Sequence, residues 1–136
     1  MAKSIQLKAN GENLYPITFE KVTNSNGTAY KLADGTMICV MTYKVSTAIT
    51  YAWRNMYISA NTIDLPNYPV EFINIPVVTM TLTNVTGDGA WFMSGSSTTS
   101  KQPNKKHAGN YYLCRGDVLN SAKEFIFNII AVGKWK

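Results

Sequence analysis

The sequence contains little charge. Only 15% of its 136 residues are Asp, Glu, Lys or Arg, and 46% are hydrophobic, whereas a globular domain usually has about 25% charged residues. Disordered chains show the opposite balance, so this composition argues against extended disorder and predicts one folded domain with a core. A surface that carries Thr, Ser, Asn and Tyr in place of charge suits β proteins and suits burial between subunits.

The side chains that most enzymes use are also scarce. Cys39 and Cys114 are the two cysteines, and both lie in apolar runs without metal-ligand spacing. This predicts buried free thiols, with a disulfide as the alternative. The single histidine, His107, lies in a polar stretch, and most acidic residues fall at turns. Nothing selects a catalytic triad, a metal site or a carboxylate pair, so we expect no enzymatic activity and no cofactor.

Long hydrophobic runs are absent as well. No run of about 18 apolar residues is present, and the first residues lack an apolar signal segment, so we expect neither a membrane span nor a signal peptide. The net charge of +5 is scattered, apart from KQPNKK at 101–106, without interleaved aromatic residues. We therefore expect no nucleic-acid partner. The RGD at 115–117 is interpreted as a strand end and turn, not as an integrin motif.

Turn signals separate short apolar runs along the chain. In TAYKLADGTMICVMTYKV, Asp34-Gly35 predicts a type I′ turn between two strands. Residues 77–83 alternate apolar residues with Thr, which predicts a half-buried strand. Residues 46–59 fit a helix loosely and a strand–loop–strand better. Residues 96–110 are polar without an apolar anchor, which predicts a long exposed loop, and GDVLNSAK at 116–123 is interpreted as a turn region.

This spacing predicts an all-β fold, an antiparallel β-sandwich of about seven or eight short strands. Pro66, Pro69 and Pro76 exclude a long helix around them. Residues 1–23 are predicted to form an N-terminal β arm with an Asn-Gly turn, and residues 24–136 the body. The arm is expected to be a hairpin or to pair with another chain, because a lone two-stranded hairpin is marginal in water.

Aromatic residues are the best candidates for ligand contacts. The chain has eight Tyr, five Phe and three Trp. A flat ring can stack on the apolar side of a sugar while neighbouring Asn, Asp, Arg or Lys side chains bind its hydroxyls. Trp53, Trp91, Tyr111 and Tyr112 lie beside polar loops. For each, burial in the core or against another subunit is the alternative, because aromatic side chains bury large areas.

Four segments stand in order along the chain: SIQLKANGENLYPITFEKVT, NGTAYKLADGTMICVMTYKV, TIDLPNYPVEFINIPVVTMT and FIFNIIAVGKWK. Each resembles a segment of the tail-fibre and baseplate receptor-binding proteins of bacteriophages and prophages. The chain departs from that pattern at Met41-Thr42-Tyr43, where the family often has an aromatic followed by Gly. Residues 46–60 match nothing in the pattern.

The resemblance implies a small β-sandwich head, similar to H-type lectins, that assembles as a homotrimer. It implies a non-enzymatic virion tail protein, made in the bacterial cytoplasm, that contacts other phage tail proteins and binds a bacterial surface polysaccharide. Trimerisation would multiply weak sugar sites by an avidity factor of about 10²–10⁴. Loops at one end of the sandwich, 96–110 first, are expected to supply the contacts, from Asp88, Trp91, Lys105, His107, Tyr111 and Arg115.

Three other functions fit the sequence less well. The protein could be a purely structural tail or baseplate component that binds only other virion proteins through its arm. It could be a glycan-cleaving depolymerase, although its size and lack of paired carboxylates argue against this. It could also be a cellular lectin unrelated to phages.

Overall fold

The structure, a computed structural model, describes residues 2–9, 12–94 and 101–136, with side chains from Glu20 onward. These residues contain no helix, and all their strand pairs are antiparallel, which confirms the predicted all-β class. The strands in chain order are β1 (Ala2–Ala9), β2 (Glu12–Asn24), β3 (Gly27–Leu32), β4 (Thr36–Ile49), β5 (Tyr51–Trp53), β6 (Met56–Ile58), β7 (Ile63–Asp64), β8 (Val77–Asn84), β9 (Trp91–Ser94), β10 (Asn110–Arg115) and β11 (Leu119–Lys134).

These strands form two sheets. The larger has six strands in the order β1-β2-β3-β4-β11-β8. In the smaller, β6 and β7 pair with the two ends of one edge of β10, β9 pairs with its other edge, and β5 pairs with β6. The prediction of seven or eight short strands is therefore too low for the described residues. It is also wrong about length, since β4 has 14 residues and β11 has 16. Polar residues on their outer faces resemble turn signals in the sequence, but the strands continue through them.

The core lies between the two sheets. β4 and β11 are neighbours at the centre of the larger sheet, and their inward side chains alternate with outward ones. Met37 and Phe127 are fully buried there, and each buried side chain of this size contributes roughly 2–3 kcal/mol. Leu113 of the smaller sheet and Phe72 of the segment before β8 belong to the same hydrophobic cluster. One cluster therefore joins both sheets.

Gly133 of β11 lets the segment before β8 pack directly on the larger sheet. A Cβ at this position would lie 2.8 Å from Phe72 Cδ1 and 3.2 Å from Pro76 Cβ. The neighbouring Ile73 donates its N–H to the Lys134 carbonyl at 2.9 Å. The absence of a side chain at Gly133 is thus a packing requirement.

The Asp34-Gly35 signal marks a hairpin of a different type from the one predicted. β3 and β4 pair antiparallel, but the loop contains three residues, 33–35, and only Gly35 has a positive φ, of 86°. Gly35 N donates to Leu32 O at 3.1 Å, and Asp34 Oδ1 accepts from Thr36 N at 2.8 Å. The type I′ prediction is wrong, because this is the three-residue loop in which a left-handed glycine precedes the second strand.

Two other local predictions have opposite outcomes. The strand–loop–strand interpretation of 46–59 is confirmed, since β4 continues to Ile49 and β5 and β6 form a hairpin around Arg54 and Asn55. The turn predicted at 116–123 is wrong beyond its first residues, because β11 begins at Leu119. The pairing of β11 with β4 is irregular between Leu119 and Lys123, and this bulge hides the strand in the sequence pattern.

The polar segment 96–110 is anchored in its described part. Ala108 is fully buried in the core, so the prediction that the segment lacks an apolar anchor is wrong. Backbone N–H groups of Leu65 and Tyr68 donate to the carbonyls of Gly109 and Lys106. A small alanine carries no recognisable hydrophobic signal among Lys, Asn and Gly. Residues 96–100 of the predicted loop lie outside the described residues.

The N-terminal strands extend beyond the body of the larger sheet. β1 pairs with β2 from Ala2↔Glu20 to Ala9↔Glu12, but only 19–24 of β2 pair with β3. Residues 12–18 therefore pair with β1 alone. The predicted Asn10-Gly11 turn lies outside the described residues. β2 runs without interruption from this arm into the sheet, up to the turn at 25–26.

Candidate functional site

The residues predicted to form one ligand site lie at the two ends of β10. Asp88, Trp91 and Arg115 are near its C-terminal end, whereas Lys105 and His107 lie in the loop that leads into its N-terminal end. A six-residue strand separates the groups by on the order of 20 Å. The structure therefore does not bring the predicted residues together in one site.

Arg115 joins two loops at the C-terminal end of β10. Its Nε and Nη2 donate to Asp117 Oδ1 at 3.1 and 2.9 Å, and its Nη1 donates to the Gly89 carbonyl at 2.9 Å. Its side chain is only 13% exposed. The RGD tripeptide is thus closed on itself by an ion pair. Arg115 positions the β8–β9 loop and has little donor capacity left for a ligand.

Asp88 and Trp91 differ in their availability. The Asp88 carboxylate accepts from Thr86 Oγ1 at 2.9 Å and lies 3.9 Å from Lys123 Nζ. Trp91, at the start of β9, is 66% exposed, an unusual exposure for so large an apolar side chain. Trp91 is therefore the predicted residue that is most available to a ligand.

His107 and Lys105 belong to a loop with its own internal bonds. His107 Nδ1 accepts from Gly109 N at 3.0 Å, and Nε2 lies 2.8 Å from Asn104 Nδ2. The backbone of His107 forms an isolated bridge with Asn67. The His107 imidazole therefore links Asn104 to Gly109 and stabilises the loop 104–109. The Lys105 side chain is exposed, at a distance from Trp91.

Tyr111 is a core residue, which corrects its assignment to a ligand site. It is 6% exposed, and its hydroxyl donates to the Ala108 carbonyl at 2.9 Å. Its ring meets Phe92 edge-on, with centroids 5.7 Å apart. Burial raises the pKa of Tyr111 above its usual range. β10 directs Tyr111 inward and its neighbour Tyr112 outward.

The outer surface of the smaller sheet carries the exposed aromatic residues. Residues directly opposite each other in an antiparallel ladder project to the same side. The register places Tyr51 opposite Ile58, Ile58 opposite Cys114 and Cys114 opposite Trp91. Leu113 belongs to the core, so this row faces away from it. By alternation along the strands, two more rings share this side. We call it the aromatic face: Tyr51, Trp53, Ile58, Trp91, Tyr112 and Cys114.

Exposure varies along this row, with exposed rings at its two ends and buried side chains between them. Tyr51 is 59% and Trp91 66% exposed, whereas Ile58 and Cys114 between them are 6% and 5% exposed. With a strand spacing of about 4.8 Å, the two rings stand about 14 Å apart over an apolar floor. Cys114 Sγ donates to the Trp91 carbonyl at 3.5 Å, and burial raises the pKa of Cys114, which favours the protonated thiol. Two exposed rings separated by buried side chains offer a stacking surface for an oligosaccharide.

The residues that sequence reasoning missed are Tyr51 and Ile58. Local alternation indicates that Tyr51 and Trp53 share a face, but it does not tell which strand lies beside them. That strand is β10, far along the chain. The strand preference of 46–59 indicates these strands in the sequence. It does not indicate a site, because the site forms only when the strands pair with β10.

A second cleft, of about 280 Å³, lies between β4 and the segment 60–64. Tyr43, Thr47 and Asn61 are among its lining residues. At its rim, Lys101 Nζ donates to Asp64 Oδ2 at 2.9 Å. The hydrogen bond from Lys101 holds the pKa of Asp64 below its usual range. The cleft offers hydroxyl and amide groups, but its charged residue is already paired.

Among the described side chains, no group of three or more His, Cys, Asp or Glu residues is arranged to hold a metal ion. In that same part of the chain, no helix has the length and apolarity to cross a membrane. No protein-family model, curated protein or solved structure matches this chain.

Proposed function

We propose that this protein is a non-enzymatic tail protein of a phage or prophage, from a fibre or baseplate, and that it binds a bacterial cell-surface glycan. The body is a β-sandwich head that assembles as a homotrimer in the virion tail. The resemblance of four ordered segments to tail receptor-binding proteins supports the protein class. The aromatic face supports the ligand class.

The observation that carries the glycan proposal is the exposure of Tyr51 and Trp91 on either side of an apolar floor. Exposing two large rings on a folded domain is unfavourable unless something covers them. Two rings about 14 Å apart can stack on separate, non-adjacent sugar units of one oligosaccharide. The aromatic face replaces the loop 96–110 as the first candidate site.

Self-association is supported by the outer surface of the larger sheet. Val40, Ile130 and Val77 are 43%, 48% and 75% exposed on this surface, and Val132 is 40% exposed. The register places Val40 opposite Ile130, and Val132 opposite Val77, so these side chains are contiguous. A contiguous exposed aliphatic patch is typical of a protein interface. Light scattering should give about 45 kDa for a trimer of the 15.1 kDa chain.

The glycan proposal is tested by a glycan array and by binding to whole bacteria. We expect wild-type protein to bind, and Trp91→Ala and Tyr51→Ala to lose about tenfold or more, because loss of a stacked ring removes about 1–2 kcal/mol per site. Trp91→Phe should retain part of the binding. Ile75→Ala is the matched control, since Ile75 is as exposed as Trp91, at 66%, and lies away from the aromatic face. A folded wild-type trimer that binds no surface glycan and no host cell would refute the proposal.

A structural connector is the second candidate, and the projecting hairpin favours it. Residues 12–18 of β2 have only β1 beside them, and an isolated two-stranded ribbon is marginally stable. Another tail protein could complete this hairpin. Deleting residues 1–18 preserves the pairing of β2 with β3 that begins at Phe19. A receptor-binding head binds glycan both as the intact protein and after this deletion. A connector binds no glycan in either form, and the deletion removes its binding to the tail partner.

A further inference from the structure

Arg54 occupies a backbone position that an arginine normally avoids. Arg54 and Asn55 form the two-residue loop between β5 and β6. Among the residues that the structure describes, Arg54 alone has a positive φ without being glycine, with a value of 54°. A hairpin loop with positive φ at its first position only is of type II′, in which glycine is preferred there. Placing a side chain in this conformation is unfavourable, because its Cβ crowds the backbone.

The Arg54 guanidinium is directed towards the aromatic face. Its Cζ lies 5.3 Å from the centroid of the Trp53 ring, and Trp53 shares a side with Tyr51 and Trp91. No carboxylate in the described part of the chain lies within ion-pair distance of Arg54. The other arginine, Arg115, is mostly buried and bonded to Asp117. Arg54 therefore offers an exposed guanidinium at the edge of the aromatic face.

Fold stability does not account for an arginine at this position. An exposed cation–π contact is weak, and at most it offsets the cost of the positive φ. Glycine would satisfy the turn without that cost. Local backbone strain that persists at an exposed site is characteristic of a position selected for binding.

From these observations we propose that Arg54 binds an acidic group, a carboxylate or a phosphate, on the glycan that lies on the aromatic face. This inference rests on the proposed glycan binding and specifies its ligand class. A guanidinium carries five donors in a planar fork that matches both acidic groups. The contact of Cζ with the Trp53 ring holds the guanidinium beside the aromatic face, and no described carboxylate is paired with its N–H groups. The net charge of +5 favours the approach of an acidic polymer.

The test uses an array in which each acidic glycan is paired with a neutral counterpart, made by carboxyl reduction or by dephosphorylation. Wild type, Arg54→Gln, Arg54→Lys and Arg54→Gly are compared on it. We expect wild type to prefer the acidic members by about fivefold to tenfold per site, since an exposed charge-assisted contact is worth about 1 kcal/mol. Arg54→Gln and Arg54→Gly should lose this preference, and Arg54→Lys should keep part of it. The preference should also fall as salt is raised.

The matched control is Lys21→Gln. Lys21 is an exposed cation stacked on a ring of the larger sheet, with Nζ 5.9 Å from the Tyr30 centroid, so its loss changes the net charge equally without touching the aromatic face. Lys21→Gln should keep the acidic preference. The carboxyl-reduced and dephosphorylated pairs tell which acidic group is recognised.

Thermal unfolding separates binding from a structural role. Arg54→Gly should unfold at the same temperature as wild type or higher, because it relieves the strained turn. A clear drop in unfolding temperature, with equal losses for acidic and neutral glycans, would show that Arg54 only supports the hairpin and would overturn the inference. Equal binding of acidic and neutral members by wild type would overturn it as well, while leaving glycan binding intact. Failure of wild type to bind any member would instead remove the proposed function itself.

Discussion

Tyr68 and Tyr111 provide a matched pair of buried phenols on which one substitution has opposite effects. Tyr68 is 4% exposed and packs edge-on against Phe72 at a centroid distance of 5.0 Å. Within the described residues its hydroxyl has no hydrogen-bond partner. Tyr111 is equally buried, but its hydroxyl donates to the Ala108 carbonyl at 2.9 Å. Tyr68→Phe removes an unsatisfied group, whereas Tyr111→Phe removes a hydrogen bond.

The magnitudes follow from the cost of burying polar atoms. An unpaired buried hydroxyl costs roughly 1–3 kcal/mol, so we expect Tyr68→Phe to raise the free energy of unfolding by about 1 kcal/mol. Tyr111→Phe should lower it by about 1 kcal/mol, because it leaves the Ala108 carbonyl unpaired. An unfolding entropy near 2.1 cal/mol/K per residue gives about 0.29 kcal/mol/K for this chain, so 1 kcal/mol corresponds to about 3.5 °C. The two variants should therefore differ by about 7 °C in Tm.

Urea and thermal unfolding at one fixed protein concentration measure both effects. The concentration is held constant because association of copies would shift the apparent stability. The urea m value should stay unchanged, since neither substitution alters the surface exposed on unfolding. If Tyr68→Phe destabilises the protein as much as Tyr111→Phe, the Tyr68 hydroxyl has a partner such as a buried water, and this reasoning fails.

Two further predictions concern packing and charge. Gly133→Ala should lower the free energy of unfolding by about 1–3 kcal/mol because its Cβ would crowd the Phe72 ring, whereas Gly116→Ala, with open space around it, should change it by less than about 0.5 kcal/mol in chemical denaturation. The pKa of Asp64 is lowered in the folded state by Lys101, so its contribution to stability is present above the unfolded pKa of about 4 and is lost as the pH falls through the folded pKa. Lys101→Gln should flatten this acid limb of the pH–stability curve, and an unchanged limb would contradict the assignment.

The elements that could be predicted from the sequence are those with a strong local pattern. The alternation of Val78, Met80 and Leu82 with threonines gave β8, which the structure confirms with its alternating burial. The Asp34-Gly35 signal located a real hairpin, although the number of loop residues, and hence the turn type, depends on the register of β3 with β4. Local chemistry therefore located these elements without fixing their pairing.

The candidate site could not be predicted because it depends on which strands become neighbours. Trp91 was identified as an aromatic residue beside a polar loop, but its relation to Tyr51 arises only when β6, β10 and β9 align. Tyr111 and Tyr112 are adjacent in sequence and indistinguishable by type, and the pleat of β10 alone sends one into the core. The sequence does not single out Arg54, because its unusual φ is a property of the folded hairpin.

The position of β11 has a consequence for how this chain is made. β11 is the last of the described strands in chain order, yet it lies between β4 and β8, pairing with β4 from Leu119 to Lys134 and with β8 from Phe125 to Val132. Until β11 has been synthesised, β4 and β8 lack the strand that pairs with both of them. Their unpaired, apolar edges are then open to chaperones or to misassembly. The larger sheet should therefore close only after β11 has been synthesised, and slowly, because closing it joins residues distant along the polypeptide.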